Sequence, residues 1–198
     1  MIQSKDDLRY YLEQDRIALM KEGRPKLFRD EIWRFQIVLR KLEYMQNCCH
    51  SFWQRPLLLY YKFRFHKDSI KLGLSIMPNV FEEGLAIMHY GSIVVNGNAK
   101  VGKNCRILEC VNIGATGGSP KAPVVGDNVF IGTGAKLIGD ITIADNIAVG
   151  AGSVVVHSFT EPGITIAGVP AGKISCHSSA PFLSAGLNVA DVKGKKEF

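Results

Sequence analysis

The sequence predicts a mainly β protein in which a solenoid of short parallel strands follows a short α-helical N-terminal region. Three observations predict this fold. Aliphatic residues recur every six positions after residue 100, glycine and β-branched residues become frequent after Gly73, and helical periodicity is confined to the first 70 residues. A strict period of six is typical of a solenoid, in which each short strand turns an aliphatic side chain into a shared interior.

The first 70 residues contain two amphipathic helical segments before an aromatic third segment. Ser4, with Asp7 three residues later, is the pattern of a capping box and predicts a helix that ends at about Met20. A second helix is predicted from Asp30 to about Gln46. Its apolar residues recur at three- and four-residue spacing on one face: Ile32, Phe35, Leu39 and Leu42.

The third helical segment begins at Pro56 and contains the aromatic run "LLLYYKFRF". One interpretation is a packing helix whose Lys62 and Arg64 side chains extend their charged ends to solvent. The other is a contact with a membrane surface or a lipid-linked substrate. Composition alone leaves both interpretations open.

The repeat begins at Val101 and continues in steps of six residues. The repeated positions are Val101, Ile107, Ile113, Ser119, Val125, Ile131, Leu137, Ile143, Val149 and Val155. Nine of these ten residues are aliphatic, which predicts three strands per coil around one continuous core. The single break coincides with "GGSPKAPV", residues 117–124, which we interpret as a loop that leaves the coil.

Composition limits the class of protein. Hydrophobic residues make up 46% and charged residues 21% of the 198 residues, which is typical of a globular chain. No apolar run is long enough to span a bilayer, and the first residues, "MIQSKDD", lack the order of a secretory signal. The five cysteines have neither disulfide nor zinc spacing, so we expect a reducing, cytoplasmic compartment and no metal.

The net charge of +6 is concentrated in residues 1–73, which hold fifteen Lys and Arg against nine Asp and Glu. This excess fits phosphate-bearing ligands, an anionic membrane surface, or simply a soluble surface. A nucleic-acid partner is not expected, because no recognised binding module accompanies the charge. A weak membrane-surface contact stays open.

Over roughly residues 73–174 the chain resembles the hexapeptide-repeat acyltransferases, and most closely the serine acetyltransferases. The matching motifs are His89 followed by "IVV", then "IGATGG", "IGTGAKLIGD", "VGAGSVVV" and "AGVPAGK". The resemblance implies a left-handed parallel β-helix, a homotrimer with active sites between subunits, and acetyl-CoA as the donor. It predicts a helical region at 1–72, an acyltransferase domain at 73–174 and a polar, mobile tail at 175–198.

The resemblance identifies His89 as the general base. An alcohol becomes a good nucleophile only as its proton leaves, and neutral imidazole can accept that proton near pH 7. His157 is the only other histidine within residues 74–172, too few for the zinc site of a carbonic anhydrase built on a similar solenoid. Family matches place Thr133 and Ala151 beside the pantetheine arm of acetyl-CoA. Residues Ala115, Thr116 and Gly117 are expected near the acetyl group, and Lys173 near the nucleotide phosphates.

The chain departs from serine acetyltransferases at the groups that orient the base and bind serine. Ser75 stands where the family has an orienting Asp, and Met88 replaces an Asp directly before the catalytic histidine. The family's Arg-His pair in the projecting loop is missing, and only Lys121 supplies charge there. Glu82 and Glu83 are candidates to replace the orienting carboxylate, although a charged corner of the solenoid is the favoured interpretation of both.

These departures favour a sugar or surface-polysaccharide hydroxyl as the acceptor, with Met88 packed against the sugar ring and Lys121 beside it. The first alternative is O-acetylserine formation for cysteine biosynthesis. The second is a non-catalytic trimeric scaffold, which the intact His89 and donor motifs argue against. Cysteine synthase binding is not expected, because the sequence ends in "KGKKEF" where many biosynthetic relatives end in isoleucine.

Overall fold

The computed structural model describes residues 1–184 as three helices packed against a coil of short strands. Residues 185–198 lie outside the described residues. The expectation about cysteine synthase rests on the sequence end and therefore falls outside them as well.

Both amphipathic helices form where they are predicted. Helix α1 (Lys5–Ala18) begins after Ser4, whose Oγ accepts a 3.0 Å hydrogen bond from the Asp7 backbone N–H. Helix α2 (Glu31–Cys48) begins after Asp30, and its apolar face is buried at Phe35, Leu39 and Leu42.

Helix α3 (Arg55–Leu72) follows a short 3-10 helix at Phe52–Gln54. It contacts α2 through Phe65, whose ring stacks on Phe35 with centroids 5.4 Å apart. As the packing interpretation predicts, α3 packs on α2 through one face, on which Leu58, Tyr61 and Phe65 are half-buried and Leu72 is buried. Its opposite face carries the rest of the aromatic run, where Leu59 and Phe63 are each 64% exposed.

Fourteen short strands follow the helices. They are β1 (Leu74–Ile76), β2 (Ala86–Ile87), β3 (Ile93–Val95), β4 (Lys100–Val101), β5 (Arg106–Ile107), β6 (Asn112–Gly114), β7 (Val124–Val125), β8 (Phe130–Ile131), β9 (Lys136–Ile138), β10 (Thr142–Ile143), β11 (Ala148–Val149), β12 (Val154–Val155), β13 (Thr165–Gly168) and β14 (Ala171–Ser175).

The strands form three sheets that the chain visits in rotation. The first sheet has the order β1-β3-β6-β9-β12, the second β4-β7-β10, and the third β2-β5-β8-β11-β13 with β14 added antiparallel at its edge. All other pairings are parallel, as the six-residue period predicts. The described chain is therefore mostly β with a few N-terminal helices.

The repeated aliphatic side chains point into the coil, where every one from Val101 to Val155 is buried. Ser119 is exposed because residues 117–124 leave the coil, as predicted. Val101 pairs with Val125, 24 positions on, whereas Val125 pairs with Ile143, 18 positions on. The loop thus adds six residues, so the inward positions keep their phase on both sides of it.

A buried ionic cluster joins the helices to the coil. The guanidinium of Arg40, on α2, is fully buried and contacts Asp15 of α1 at 2.8 Å and Glu43 at 3.0 Å. It also donates to the backbone carbonyls of Phe81 and Glu82, at 2.8 and 2.7 Å. The Arg40 guanidinium therefore pairs with two buried carboxylates and satisfies two backbone carbonyls. These contacts join α1, α2 and the segment that precedes β2.

The segment after β14 is packed onto the body as far as it is described. The Ser179 hydroxyl donates to the Asn128 carbonyl, and the Phe182 ring stacks on Phe130 with centroids 4.6 Å apart. The Ser184 hydroxyl donates to the Ala18 carbonyl at 2.6 Å. Residues 175–184 therefore differ from the predicted mobile tail, because their small polar side chains satisfy backbone carbonyls of the coil and of α1.

Within residues 1–184, no helix is both long and apolar enough to cross a membrane. The same residues contain no group of three or more His, Cys, Asp or Glu side chains arranged to hold a metal ion.

Candidate functional site

His89 lies at the corner that joins β2 in the third sheet to β3 in the first. Its side chain is exposed. Ile87 and Val95 flank this corner eight positions apart, whereas their partners on the next coil, Ile107 and Ile113, are six positions apart. The two additional residues make the His89 corner wider than the corner stacked beside it.

The strand register places the His89 corner beside the equivalent corners of the next three coils. Ile87 pairs with Ile107, which pairs with Ile131, which pairs with Val149. Two positions beyond these partners are His89, Glu109, Thr133 and Ala151. Backbone hydrogen bonds from Gly134 to the Glu109 carbonyl (2.9 Å) and from Gly152 to the Thr133 carbonyl (2.7 Å) keep Glu109, Thr133 and Ala151 in register around the corner. We call these four residues the corner column.

Glu109 is the member of the corner column that sequence reasoning missed. Its Oε1 accepts a 3.0 Å hydrogen bond from the Thr133 hydroxyl, and its Oε2 is shielded from solvent without a hydrogen-bond partner among the described residues. The backbone N–H of Glu109 and the Thr133 hydroxyl hold the pKa of Glu109 below its ordinary value, and the nearby His89 lowers it further. Glu109 is therefore ionised at neutral pH.

A cavity of about 220 Å³ opens beside His89, between the coil and the segment that connects α1 to α2. Met88 and Trp33 form part of its apolar wall, and Lys21, Arg29 and Asp30 supply charge. Asp30 is buried and accepts hydrogen bonds from the Lys21 ammonium at 2.7 Å and the Lys26 backbone N–H at 2.8 Å. The Lys21 bond, followed by the Lys26 N–H, holds the pKa of Asp30 below its ordinary value.

The carboxylates predicted to orient His89 have other partners. Glu82 accepts hydrogen bonds from the Met1 ammonium and the Tyr11 hydroxyl, and Glu83 pairs with Lys103 at 3.3 Å. Ser75 lies on β1 in the first sheet and lines a different cavity from His89. Neither Glu82, Glu83 nor Ser75 lines the His89 cavity.

The remaining predicted residues are divided between other parts of the coil. Met88 lines the His89 cavity, as stated above. Lys121, in the projecting loop, pairs with Asp140 at 2.6 Å, and Lys173 on β14 pairs with Glu161 at 2.6 Å. Residues 115–117 follow β6 where the chain leaves the first sheet, so they lie at a different corner from the corner column.

One signal in the sequence points to a residue that was missed. Glu109 stands two positions after an inward aliphatic residue, as do His89, Thr133 and Ala151, so the repeat itself marks that position. Lys21, Arg29 and Asp30 belong to the basic N-terminal segment but have no motif. Only the packing of the α1–α2 connection against the coil brings them to His89.

No family model matches the chain. Serine acetyltransferase from Synechococcus elongatus is 32% identical over 124 residues, covering 61% of this chain and 50% of that protein. Serine acetyltransferase from Mycobacterium tuberculosis is 33% identical over 135 residues, covering 67% of this chain and 58% of that protein. The chain spans about half the length of the curated relatives it matches.

Comparison with solved structures also finds serine acetyltransferases, here through similarity of the fold. Soybean serine acetyltransferase complexed with serine superposes with a TM-score of 0.69 at 27% identity, covering 86% of this chain and 70% of that chain. The serine acetyltransferase of Brucella abortus in complex with coenzyme A gives 0.67 at 25% identity, with coverage of 86% and 69%. The chain is similar to serine acetyltransferases in sequence and in fold. The resemblance predicted from the repeat is thereby confirmed.

Proposed function

We propose that the chain is an acetyl-CoA-dependent O-acetyltransferase with His89 as its general base. The observation that carries this proposal is the corner column, in which the strand register brings the predicted base to the same corner of the coil as the predicted donor-arm residues Thr133 and Ala151. A base must lie within hydrogen-bond reach of the proton that it abstracts. The open cavity beside His89 gives an acceptor hydroxyl access to the imidazole.

The reaction transfers an acetyl group from sulfur to oxygen. His89 removes the proton of the acceptor hydroxyl as the oxygen forms a bond to the thioester carbon and the carbon–sulfur bond breaks. The imidazolium then returns the proton to the departing thiolate, which leaves His89 neutral for the next cycle. No net proton is consumed and no atom changes its oxidation state, so the transfer needs no redox group.

For the donor, the coenzyme A complex of the Brucella relative supports acetyl-CoA. Thr133 and Ala151 are proposed to contact the pantetheine arm, where small side chains allow close approach to the backbone. Ala115, Thr116 and Gly117 are proposed to lie near the acetyl group. Lys173 is proposed to meet the nucleotide phosphates, exchanging its exposed contact with Glu161 for them.

For the acceptor, we propose L-serine rather than the sugar hydroxyl that the sequence favours. Both sets of comparisons consist of serine acetyltransferases, and the soybean relative is complexed with serine. The sugar prediction rests on missing charges at the family's positions. The His89 cavity offers charges of both signs from another segment, at Lys21, Arg29 and Asp30, as a zwitterionic acceptor requires. Its volume is below the about 300–1,000 Å³ of ordinary ligand pockets, which favours a small acceptor.

L-serine is expected to be acetylated with a kcat/KM of about 10⁴ M⁻¹s⁻¹ or above, the range of ordinary metabolic enzymes. Thiol release from acetyl-CoA, measured with L-serine and with a panel of sugars, decides between the acceptors.

Arg29→Gln is expected to raise KM for serine about tenfold, because one charge-assisted contact is lost. Arg24→Gln, an exposed cation of the same segment outside the cavity, is the matched control. Efficient acetylation of a sugar with poor use of serine would restore the sugar proposal.

We also propose that the active protein is a homotrimer. Residues 115–117 and the corner column lie at different corners of one chain, so a second copy is needed to bring the two sets together. Sedimentation equilibrium is expected to give three times the 21.8 kDa mass of the chain. An active monomer would contradict the proposal.

We further infer that the three-sheet coil is the left-handed parallel β-helix of the hexapeptide-repeat acyltransferases, with the acyltransferase domain at residues 73–174. Residues 1–72 contribute one wall of the acceptor cavity.

The free state of all five cysteines supports a reducing, cytoplasmic location. A weak membrane contact is supported only by the outward aromatic face of α3 and its neighbouring cations, Lys62 and Arg64.

A further inference from the structure

Glu109 lies directly beside the His89 corner on the next coil. The Met88 backbone N–H donates to the Ile107 carbonyl at 3.2 Å, which sets the stacking just before His89. A Cβ on Gly91 would come within 3.0 Å of the Glu109 Cβ, so the corner backbone rests on the stem of this side chain. Gly91 has a φ of 141°, a conformation that glycine adopts at low cost.

We propose that Glu109 is the positioning residue for His89, with its unpaired Oε2 accepting a hydrogen bond from the imidazole while its Oε1 stays held by Thr133. The inference rests on the proposed function, in which His89 is the general base. It assigns Glu109 the role that the sequence assigned to Ser75, Glu82 or Glu83.

The chemistry explains why a carboxylate at this place matters. Neutral imidazole carries one N–H, and a carboxylate that accepts its hydrogen bond leaves the other ring nitrogen as the proton acceptor. The same carboxylate stabilises the imidazolium that forms when the acceptor proton is transferred. Glu109 stays ionised throughout, which agrees with its lowered pKa.

The other carboxylates around the His89 cavity are already engaged. Asp30 is held by Lys21 and by the Lys26 backbone N–H, and Glu31 accepts a 3.2 Å hydrogen bond from the Tyr90 hydroxyl. Burial, followed by the charge of Glu31, raises the pKa of Tyr90.

The cations that line the His89 cavity come from the α1–α2 connection, at Lys21 and Arg29, and Lys21 is paired with Asp30. Next to Glu109, the Lys136 ammonium is bonded to the Cys110 carbonyl at 2.9 Å. Among the described residues, Glu109 is thus the carboxylate beside this corner that has an oxygen without a partner.

The test replaces Glu109 by Gln, which keeps its size and its acceptor for Thr133 but removes the charge. The titration of the His89 imidazole is followed by NMR with labelled histidine, and a His89→Asn variant assigns its resonances. Its midpoint is expected to move to lower pH in Glu109→Gln, and Glu109→Asp is expected to retain most of the wild-type midpoint. Asp6→Asn, which removes an exposed carboxylate on α1, is the control for net charge and is expected to leave the midpoint unchanged.

Activity gives a second, separate readout. Glu109→Gln is expected to lower kcat about tenfold, part of the 10² to 10⁴ that a general base supplies, with KM for serine little changed. The acidic limb of its kcat/KM profile is expected to shift in the same direction as the NMR midpoint. A midpoint equal to that of the wild type would overturn the inference, whatever the activity. A wild-type chain without acetyl transfer but with the midpoint shift would overturn the proposed function and leave the contact between Glu109 and His89 standing.

Discussion

Replacing His89 by alanine is expected to lower turnover about 10² to 10⁴-fold while acetyl-CoA affinity stays nearly unchanged. The expected loss corresponds to roughly 3 to 5 kcal/mol of barrier, because no other described group of the cavity can take the proton. Lys21 and Arg29 are cations and offer no free lone pair, and Asp30 is already bonded to Lys21 and Lys26.

Turnover and acetyl-CoA affinity are measured separately, by thiol release and by calorimetric titration. His157→Ala is the matched control, since His157 is an exposed histidine of the same coil outside the corner column. Its turnover is expected to equal that of the wild type. If His89→Ala kept more than about a tenth of the wild-type turnover, His89 would not be the general base.

The second large effect concerns stability. Arg40→Ala is expected to lower the free energy of unfolding by about 3 to 5 kcal/mol, because it leaves the buried carboxylates of Asp15 and Glu43 without their partner. Burial alone would lower the pKa of Arg40, but the charges of Asp15 and Glu43 outweigh it and raise the pKa. The carbonyls of Phe81 and Glu82 also lose their donor, so the helices lose part of their attachment to the coil.

Urea unfolding followed by circular dichroism measures this difference. Arg9→Ala is the control, because Arg9 pairs with Asp6 at 2.9 Å on the exposed face of α1. An exposed pair contributes about 0 to 1 kcal/mol, so the control is expected to unfold close to the wild type. If Arg40→Ala lost less than about 1 kcal/mol, the cluster would not be the attachment inferred from its contacts.

The order of the coil could be predicted from the sequence alone. One aliphatic side chain per six residues is enough to predict short parallel strands around a continuous core, because each strand and corner then return one side chain to the interior. The loop at residues 117–124 was visible as the single place where Ser119 interrupts the aliphatic series. His89 was found because the resemblance marks it, and Thr133 and Ala151 were found in the same way.

The neighbours of His89 were decided by the tertiary structure. Which residue lies beside the His89 corner depends on the number of residues in each coil, and this number varies. Ile87 pairs with a residue 20 positions later, Ile107 with one 24 positions later, and Ile131 with one 18 positions later. A six-residue period does not reveal the extra residues of the longer coils, since these residues lie in corners where side chains face solvent. The repeat marks the position of Glu109, but only the strand register shows that this residue lies beside the His89 corner.

The charged residues that line the acceptor cavity were likewise identified only from the tertiary structure. Lys21, Arg29 and Asp30 lie 59 to 68 positions before His89 and carry no pattern of their own. They reach the cavity because α1 and α2 are fixed to the coil through Arg40, whose buried contacts join segments that are distant in sequence. Local periodicity specifies which side chains face inward, but contacts between distant segments determine which polar groups meet, because those groups are placed by packing rather than by the repeat.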